Sequence, residues 1–521
     1  MRKRNTRKRL LAAVASKARI DSPLVLLFWI FLALLALSLV WSKNGFAAPN
    51  RTDLELERAV WTASEGEIPL VEKRVVRMLQ DDSRSAFAHY LMGKLYLRKF
   101  MQDPSELSVL RRASELGQQA IELDRASDYG YVVIAEILDI MGQPENATRI
   151  LDNTLNPQLK PSWRGLFVRA RVGADSATND QVLKLFDQAL NQPNSQVDVI
   201  TPYLVALLQQ EYEGELLVAK LEDWNHRHPS NILLHAKAVA LAEQKDYKAA
   251  HAIYEKIYAK DPRMVESMIN DGVLLYLHLA RADAGRDLLE RVIKSQFVSA
   301  SEGALPMALS HLGLIYLKRK DFQAARERFV DAIVKSENHF EMVATVAQQY
   351  RKEGQPKALV DLVKEINQKL PGEAVFYALL GETFAEELKD QKQSLAAFSD
   401  AVALEPERSD YYNGMGLAYY RMNDYNQALF LFSTATRVDP QDATARYNEA
   451  CVLALIGRRD EALVSLKQAL LLDPRLVASA RQDADFSSLK ASHQFVELTT
   501  AEGVAESHER PGTGQHAVFG H

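Results

Sequence analysis

The sequence predicts an all-α protein, a solenoid of helical hairpins preceded by one N-terminal transmembrane helix. Three observations predict this class. A set of eight positions recurs at close to 34 residues along most of the chain. An uncharged run of nineteen residues follows a basic N-terminus. Little sequence outside the repeating part is left for a further domain.

The clearest copy of the repeat lies near the C-terminus, and a second copy follows one period later. The first copy carries Tyr412, Met415, Gly416, Tyr419, Ala428, Phe432, Ala435 and Pro440. The first four of these residues share one face of a first helix, and the next three share one face of a second. Small residues allow the two backbones to approach, and the proline ends the second helix. One such hairpin buries too little apolar surface to be stable alone, so copies must stack.

This signature resembles the tetratricopeptide repeat family, and the resemblance covers residues 86–475 with about eleven units. Clear units start near residues 198, 231, 265, 306, 340, 374, 409 and 443. The step from 265 to 306 is longer than the others and leaves a surplus of residues near 295–305. The resemblance implies a right-handed superhelix whose first helices line a concave wall. It says little about function, because the signature residues are core residues.

The N-terminus predicts a membrane anchor. Residues 1–22 form a basic segment expected to be cytoplasmic, and residues 23–41 are long and apolar enough for a transmembrane helix. The positive-inside rule would then place the repeats on the far side of the membrane. A cleaved signal peptide is the alternative, since small residues at 45, 47 and 48 offer a cleavage site, but the apolar run is longer than a usual signal core.

The net charge and the cysteine content narrow the classes of function that the sequence allows. The net charge is −5, and residues 1–22 contribute eight bases and one acid, so the remainder carries −5 − 7 = −12. An acidic body argues against a nucleic-acid partner, which would require a basic face. A single cysteine, Cys451, excludes an internal disulfide and suits either side of a bacterial inner membrane.

The two ends of the chain are short. Residues 50–85 predict N-terminal capping helices, and residues 476–498 predict a C-terminal cap. In that cap, Phe486, Leu489, Phe495 and Leu498 should cover the last hairpin. Residues 499–521 have the composition of a disordered tail. The sequence contains no phosphate-binding glycine loop, no paired-cysteine zinc motif and no Gly-x-Ser-x-Gly nucleophile elbow. We therefore expect no catalytic residues, no metal site and no cofactor, and we expect that the protein is not an enzyme.

The resemblance also predicts where a partner would bind. Positions 2, 5, 9, 12 and 13 of each unit lie off the packed face of the first helix and should line the concave groove. The candidate groove residues are Tyr276, Met307, Leu314, Gln348, Asn413, Tyr420, Arg421 and Tyr447.

The function expected from these features is a membrane-anchored, non-enzymatic scaffold. It would bind partner proteins, as a peptide or helix in the groove, during bacterial envelope biogenesis or secretion. The expected location is the bacterial inner membrane, single-pass, with a cytoplasmic N-terminus and periplasmic repeats. Two alternatives remain open: a carbohydrate-binding component of polysaccharide export, and a regulatory subunit of a membrane enzyme.

Overall fold

The computed structural model describes residues 51–63, 65–154, 162–173, 178–298 and 303–500. Every element of regular secondary structure in these ranges is helical. The α-helices are α1 (Arg51–Thr62), α2 (Ile68–Asp81), α3 (Ala86–Gln102), α4 (Leu107–Leu123), α5 (Tyr129–Ile140), α6 (Pro144–Thr154), α7 (Trp163–Gly173), α8 (Asn179–Leu190), α9 (Val197–Glu211), α10 (Gly214–Arg227), α11 (Asn231–Glu243), α12 (Tyr247–Lys260), α13 (Val265–Leu277), α14 (Ala282–Ile293), α15 (Ala304–Lys318), α16 (Phe322–Lys335), α17 (His339–Lys352), α18 (Pro356–Lys369), α19 (Ala374–Glu382), α20 (Gln391–Leu404), α21 (Ser409–Arg421), α22 (Tyr425–Val438), α23 (Ala443–Leu455), α24 (Arg459–Leu472), α25 (Leu476–Gln482) and α26 (His493–Leu498).

Three shorter elements complete the described fold. Turns of 3-10 helix occupy Glu65–Glu67 and Asp485–Ser488, and a π-helical turn at Thr383–Glu387 continues α19. The chain divides into two compact units at the boundary between residues 304 and 305. That boundary lies in the segment where the sequence carries its surplus residues. In both units, helices adjacent in sequence pair into the stacked hairpins of a tetratricopeptide-like solenoid.

The turn inside several hairpins uses the same two devices. A residue in the left-handed region closes the first helix, at Lys245 and Lys320 among others. The aspartate that follows it caps the second helix: Asp246 accepts a hydrogen bond from the amide of Ala249, and Asp321 does so in its own hairpin. The combination of a left-handed residue and a capping aspartate explains why residues 244–250 and 319–325 have nearly the same sequence.

Close approach inside the hairpins depends on a glycine facing a phenylalanine. A Cβ added to Gly416 would lie 2.6 Å from the ring of Phe432, and one added to Gly381 would lie 2.7 Å from that of Phe398. Both rings are buried. The signature positions therefore act as packing positions: the small residue on the first helix makes room for the large residue on the second.

The predicted localisation is wrong for the part of the chain that can be assessed. Between residues 51 and 500, excluding the gaps given above, no helix is both long enough and apolar enough to cross a lipid bilayer. A single-pass inner-membrane topology therefore finds no support here. The basic segment 1–22, the predicted transmembrane helix 23–41 and the tail beyond residue 500 lie outside the described residues.

Candidate partner-binding groove

All eight groove residues predicted from the sequence lie on the first helix of a hairpin. Their positions are Tyr276 on α13, Met307 and Leu314 on α15, Gln348 on α17, Asn413, Tyr420 and Arg421 on α21, and Tyr447 on α23. Tyr276 belongs to the first compact unit and the other seven to the second. The seven are not equivalent, because neighbouring parts of the same unit already occupy several of them.

Three of these side chains differ mainly in how far they are exposed. Met307 keeps 47% of its surface exposed, and Gln348 is also exposed. Leu314 is half-buried and packs against an apolar cluster whose buried residues come from α15 to α20. Of these three, Met307 and Gln348 are therefore the positions that a partner could reach without displacing part of the chain.

Tyr276 has a different character. Its side chain is half-buried, its hydroxyl oxygen is fully buried, and that oxygen has no hydrogen-bond partner among the described residues. Burial raises the pKa of the phenol to about 12, so the hydroxyl stays protonated at neutral pH. A buried hydroxyl without a partner is uncommon in folded proteins and costs free energy.

Charged groups of successive first helices pair along the second unit. Arg351 on α17 donates to Glu387 at 2.7 Å and lies 3.5 Å from Glu382. Arg421 on α21 pairs with Glu386. The three glutamates are at the end of α19 and in its π-helical turn, so this irregular turn presents carboxylates to the helix on each side. Such turns often mark functional segments of helices.

Tyr420 and Tyr447 contact the segment that follows the last hairpin. The Tyr420 hydroxyl donates to Asp485 at 2.7 Å, and the Tyr447 hydroxyl donates to Asp483 at 2.9 Å. The ring of Phe486 packs edge-on against Tyr447, with centroids 5.5 Å apart. The C-terminal segment thus occupies groove positions of α21 and α23 in addition to covering the last hairpin.

Cys451 lies beside this contact and completes the one cluster of metal-ligand type among the described residues. Its thiol and the carboxylates of Asp483 and Asp485 have ligand atoms within 4.8 Å of one another. Burial, and then Asp483, raise the pKa of the thiol, so it remains protonated. Because each carboxylate already accepts a tyrosine hydroxyl, the cluster functions as a hydrogen-bonded anchor for the C-terminal segment.

The first compact unit contains a groove contact that the sequence did not predict. Helix α1 lies against α3, α7 and α9, which are the first helices of their hairpins. In the hairpin that starts at residue 86, the contacting residues Tyr90, Lys94 and Arg98 are at positions 5, 9 and 13. These are groove positions by the same numbering that identified the candidates above. A helix of the chain itself therefore contacts the positions that are predicted to line the groove of the N-terminal hairpins.

The contact between α1 and α3/α7 is built around Glu57. This carboxylate has no exposed surface and forms a bidentate ion pair with Arg164 on α7, with 2.6 Å between Oε2 and Nη2. The Tyr90 hydroxyl also donates to it, at 2.9 Å. Burial lowers the pKa of the Arg164 guanidinium, but Glu57 outweighs that effect and the net shift of this pKa is upward, so the guanidinium stays charged.

One turn after Glu57, Trp61 makes the second anchor of α1. Its indole nitrogen donates to the Tyr90 hydroxyl at 2.8 Å, and its ring lies 5.5 Å from that of Phe167 and 5.9 Å from that of Trp163. The ammonium of Lys94 is 3.5 Å from the centre of the Trp61 ring, a cation–π contact. The groove thus holds α1 through one carboxylate and one aromatic ring.

Comparison with known proteins agrees with the repeat assignment. Residues 409–442 match the family described as Tetratricopeptide repeat. A segment of 77 residues is 34% identical to Anaphase-promoting complex subunit 3 of Schizosaccharomyces pombe, and it covers 15% of this chain and 12% of that protein. The chain therefore spans a small part of this curated relative, which does not come from a bacterium.

The solved structures that match the chain share little sequence with it. MamA is 21% identical, with a TM-score of 0.26 and coverage of 32% of this chain and 97% of that one. The C-terminal part of a TPR repeat-containing protein from Cytophaga hutchinsonii is 16% identical, with a TM-score of 0.31 and coverages of 46% and 95%. The structure of Naa15/Naa10 bound to HypK-THB is 13% identical, with a TM-score of 0.32, and the match covers 94% of this chain and 73% of that one.

The TM-scores are low, so the class of the protein rests on residues 409–442 and on the recurring positions. On that basis residues 409–442 are similar to a tetratricopeptide repeat, and the recurring positions resemble further copies of it. Repeats of this type imply a scaffold for protein–protein interaction, and proteins built from them are generally not catalysts.

Proposed function

We propose that the chain is a non-enzymatic scaffold that holds a helical segment of a partner protein in the groove of its repeats. The observation that carries this proposal is the position of α1, which lies across groove residues of α3 and α7. A groove that accepts one helix has the width and the side-chain chemistry to accept another. Helix-in-groove binding is a common mode of peptide recognition.

The partner is a protein rather than a nucleic acid. Outside residues 1–22 the chain has an excess of acidic residues, and nucleic-acid binding would require a basic face. The sugar-binding alternative would use groove aromatics as stacking platforms, but the hydroxyls of Tyr420 and Tyr447 already donate to carboxylates. The bacterial envelope setting depended on the predicted membrane location, and it is not part of this proposal.

Site-specific photo-crosslinking compares the groove with the opposite face of a hairpin. A photoreactive phenylalanine analogue replaces Met307, which is a groove position 47% exposed. The matched control carries the same analogue at Phe430, which is 64% exposed on the second helix α22. Both sites are accessible and apolar, so they differ mainly in the face they occupy.

The proposal predicts discrete crosslinked protein adducts from position 307 in cell extract and none of the same adducts from position 430. The variant Gln348→Arg should weaken the adducts at 307 if one partner spans both groove positions. Equal adducts at the two sites, or adducts at 430 alone, would show that the groove does not hold the partner.

A further inference from the structure

We propose that the groove formed by α3, α7 and α9 is a site for a partner helix that carries a carboxylate and an aromatic ring one turn apart, and that α1 is its exchangeable internal occupant. This inference rests on the proposed function and adds to it the chemistry of the partner. Glu57 and Trp61 are four residues apart, so both face the same side of the helix and enter the groove together.

The chemistry of the contact is more specific than a terminal cap requires. A cap needs to cover apolar surface and present a polar face to water. Here the contact is a fully buried ion pair between Glu57 and Arg164, each at most 6% exposed. A buried ion pair is seldom more stabilising than well-packed apolar residues of the same volume, but its geometry discriminates strongly between ligands. The pairing therefore selects for a carboxylate at that place.

The groove keeps this preference when α1 is absent. Its wall supplies the cations Lys94, Arg98, Arg164 and Arg171 and the aromatic rings of Tyr90, Trp163, Phe167 and Tyr203. Among the contacts of these cations, Glu136 pairs with both Lys94 and Arg171 within the wall. Asp198 on α9 is a second carboxylate of the wall, and it pairs with Arg58 of α1. The wall therefore has four cations to two carboxylates, and it is complementary to a helix that presents a carboxylate and an aromatic ring.

Other contacts to α1 do not depend on its sequence. Arg98 donates to the backbone carbonyls of Val60 and Ala63, and Gln196 donates to that of Leu54. The carbonyls of Val60 and Ala63 are at the end of the helix, where they lack partners within it, so any helix seated with the same polarity would offer them. The wall therefore combines general recognition of a helix end with specific recognition of two side chains.

The burial of α1 is compatible with exchange. Only Leu56, Glu57 and Val60 of its twelve residues are buried. A short link that includes the 3-10 turn Glu65–Glu67 joins it to α2. As a tethered occupant it competes at an effective concentration in the millimolar range, so a partner helix binds well only when α1 is loosened or the partner makes additional contacts.

Peptide binding to the full-length chain tests the proposal. The probe is a fluorescein-labelled peptide of residues 51–63, and its binding is followed by fluorescence anisotropy. The loosened variant carries Glu57→Ala and Trp61→Ala. The matched control carries Glu55→Ala and Thr62→Ala, two changes on exposed positions of the same helix. The loosened variant should bind the peptide at least about 10-fold more tightly than the unaltered chain or the control does.

Arg164→Met added to the loosened variant should remove that gain, and Arg164→Lys should remove part of it, since lysine keeps the charge without the bidentate geometry. A peptide in which both Glu57 and Trp61 are alanine should not bind. Circular dichroism of every variant shows whether the repeats remain folded.

Two results would overturn the proposal: a folded loosened variant that does not bind the peptide, and binding that persists with the alanine peptide or with Arg164→Met. Crosslinking at Met307 is in the other compact unit. Failure of the peptide test and failure of the proposed function are therefore separate observations.

Discussion

Replacing Glu57 with alanine should detach α1 from the N-terminal hairpins. The change removes a carboxylate with no exposed surface, and it leaves the Arg164 guanidinium and the Tyr90 hydroxyl without their acceptor. Breaking a buried ion pair by removing one partner costs about 3–5 kcal/mol. The lower end, about 3 kcal/mol, applies here because the guanidinium keeps nearby aromatic rings and gains water when α1 lifts away.

Native-state hydrogen exchange measures this loss directly. About 3 kcal/mol corresponds to roughly a 100-fold rise in the opening constant of α1, since each 1.4 kcal/mol is a factor of ten. Exchange in the second compact unit should not change, because damage in a solenoid stays local. Glu115→Ala serves as the control, since Glu115 forms an exposed ion pair with Arg112 on α4, and α1 should then exchange at its original rate.

A double-mutant comparison identifies the physical cause. Arg164→Met alone leaves the Glu57 carboxylate buried without its partner, and Glu57→Leu alone leaves the guanidinium without its acceptor, so each single change should cost about as much as Glu57→Ala. Changing both residues, Glu57→Leu with Arg164→Met, replaces the pair with apolar side chains and should cost much less than the two single changes together. If the cost of the double change equals the sum of the single costs, the pair is not coupled and the reasoning about buried charge is wrong.

Three further changes test other parts of the structure. Gly416→Ala should destabilise its hairpin by about 1–3 kcal/mol, because the new Cβ would lie 2.6 Å from the Phe432 ring, and Phe432→Leu should recover part of the loss in thermal denaturation. The buried Cys451 thiol should react slowly with a thiol reagent because burial raises its pKa, and Phe486→Ala should speed labelling by opening the C-terminal segment. Burial lowers the pKa of His311 to about 4, so the unfolded chain takes up a proton between about pH 6.5 and 4 that the folded chain does not. Stability should therefore fall as the pH drops through this range, and His311→Gln should flatten that part of a denaturation series measured against pH.

The helical class and the phase of the repeats could be predicted from the sequence because packing fixes them. Gly416 and Phe432 recur at positions set by the close approach of two helices, so equivalent residues recur in other copies. The turn sequences at 244–250 and 319–325 recur for a similar reason, since each contains a residue in the left-handed region and an aspartate that caps the next helix. Local geometry repeats along the chain, and repetition is visible in a sequence.

The contents of the groove could not be predicted in the same way. Glu57 and Arg164 are 107 residues apart, and neither is at a signature position. Asp485 and Tyr420, which share a hydrogen bond, are 65 residues apart in the sequence. Each contact occurs once, so no periodicity reveals it. The composition did offer a clue. Lys94 and Arg164 are cations at groove positions of two N-terminal hairpins, and residues 51–63, which precede these hairpins, carry acids and a tryptophan.

The ends of the two compact units use the same type of contact, although their backbones differ. In the first unit a helix brings Glu57 and Trp61 to the groove, and in the second a short segment brings Asp485 and Phe486 to groove positions of α21 and α23. Groove positions are free to vary because packing does not fix them, so their chemistry reflects what they contact. That both contacts pair a carboxylate with an aromatic ring points to the groove wall, rather than to the backbone of the occupant, as the source of selectivity. A partner of the N-terminal hairpins should therefore be recognised by a carboxylate and an aromatic ring one helical turn apart, as α1 presents them.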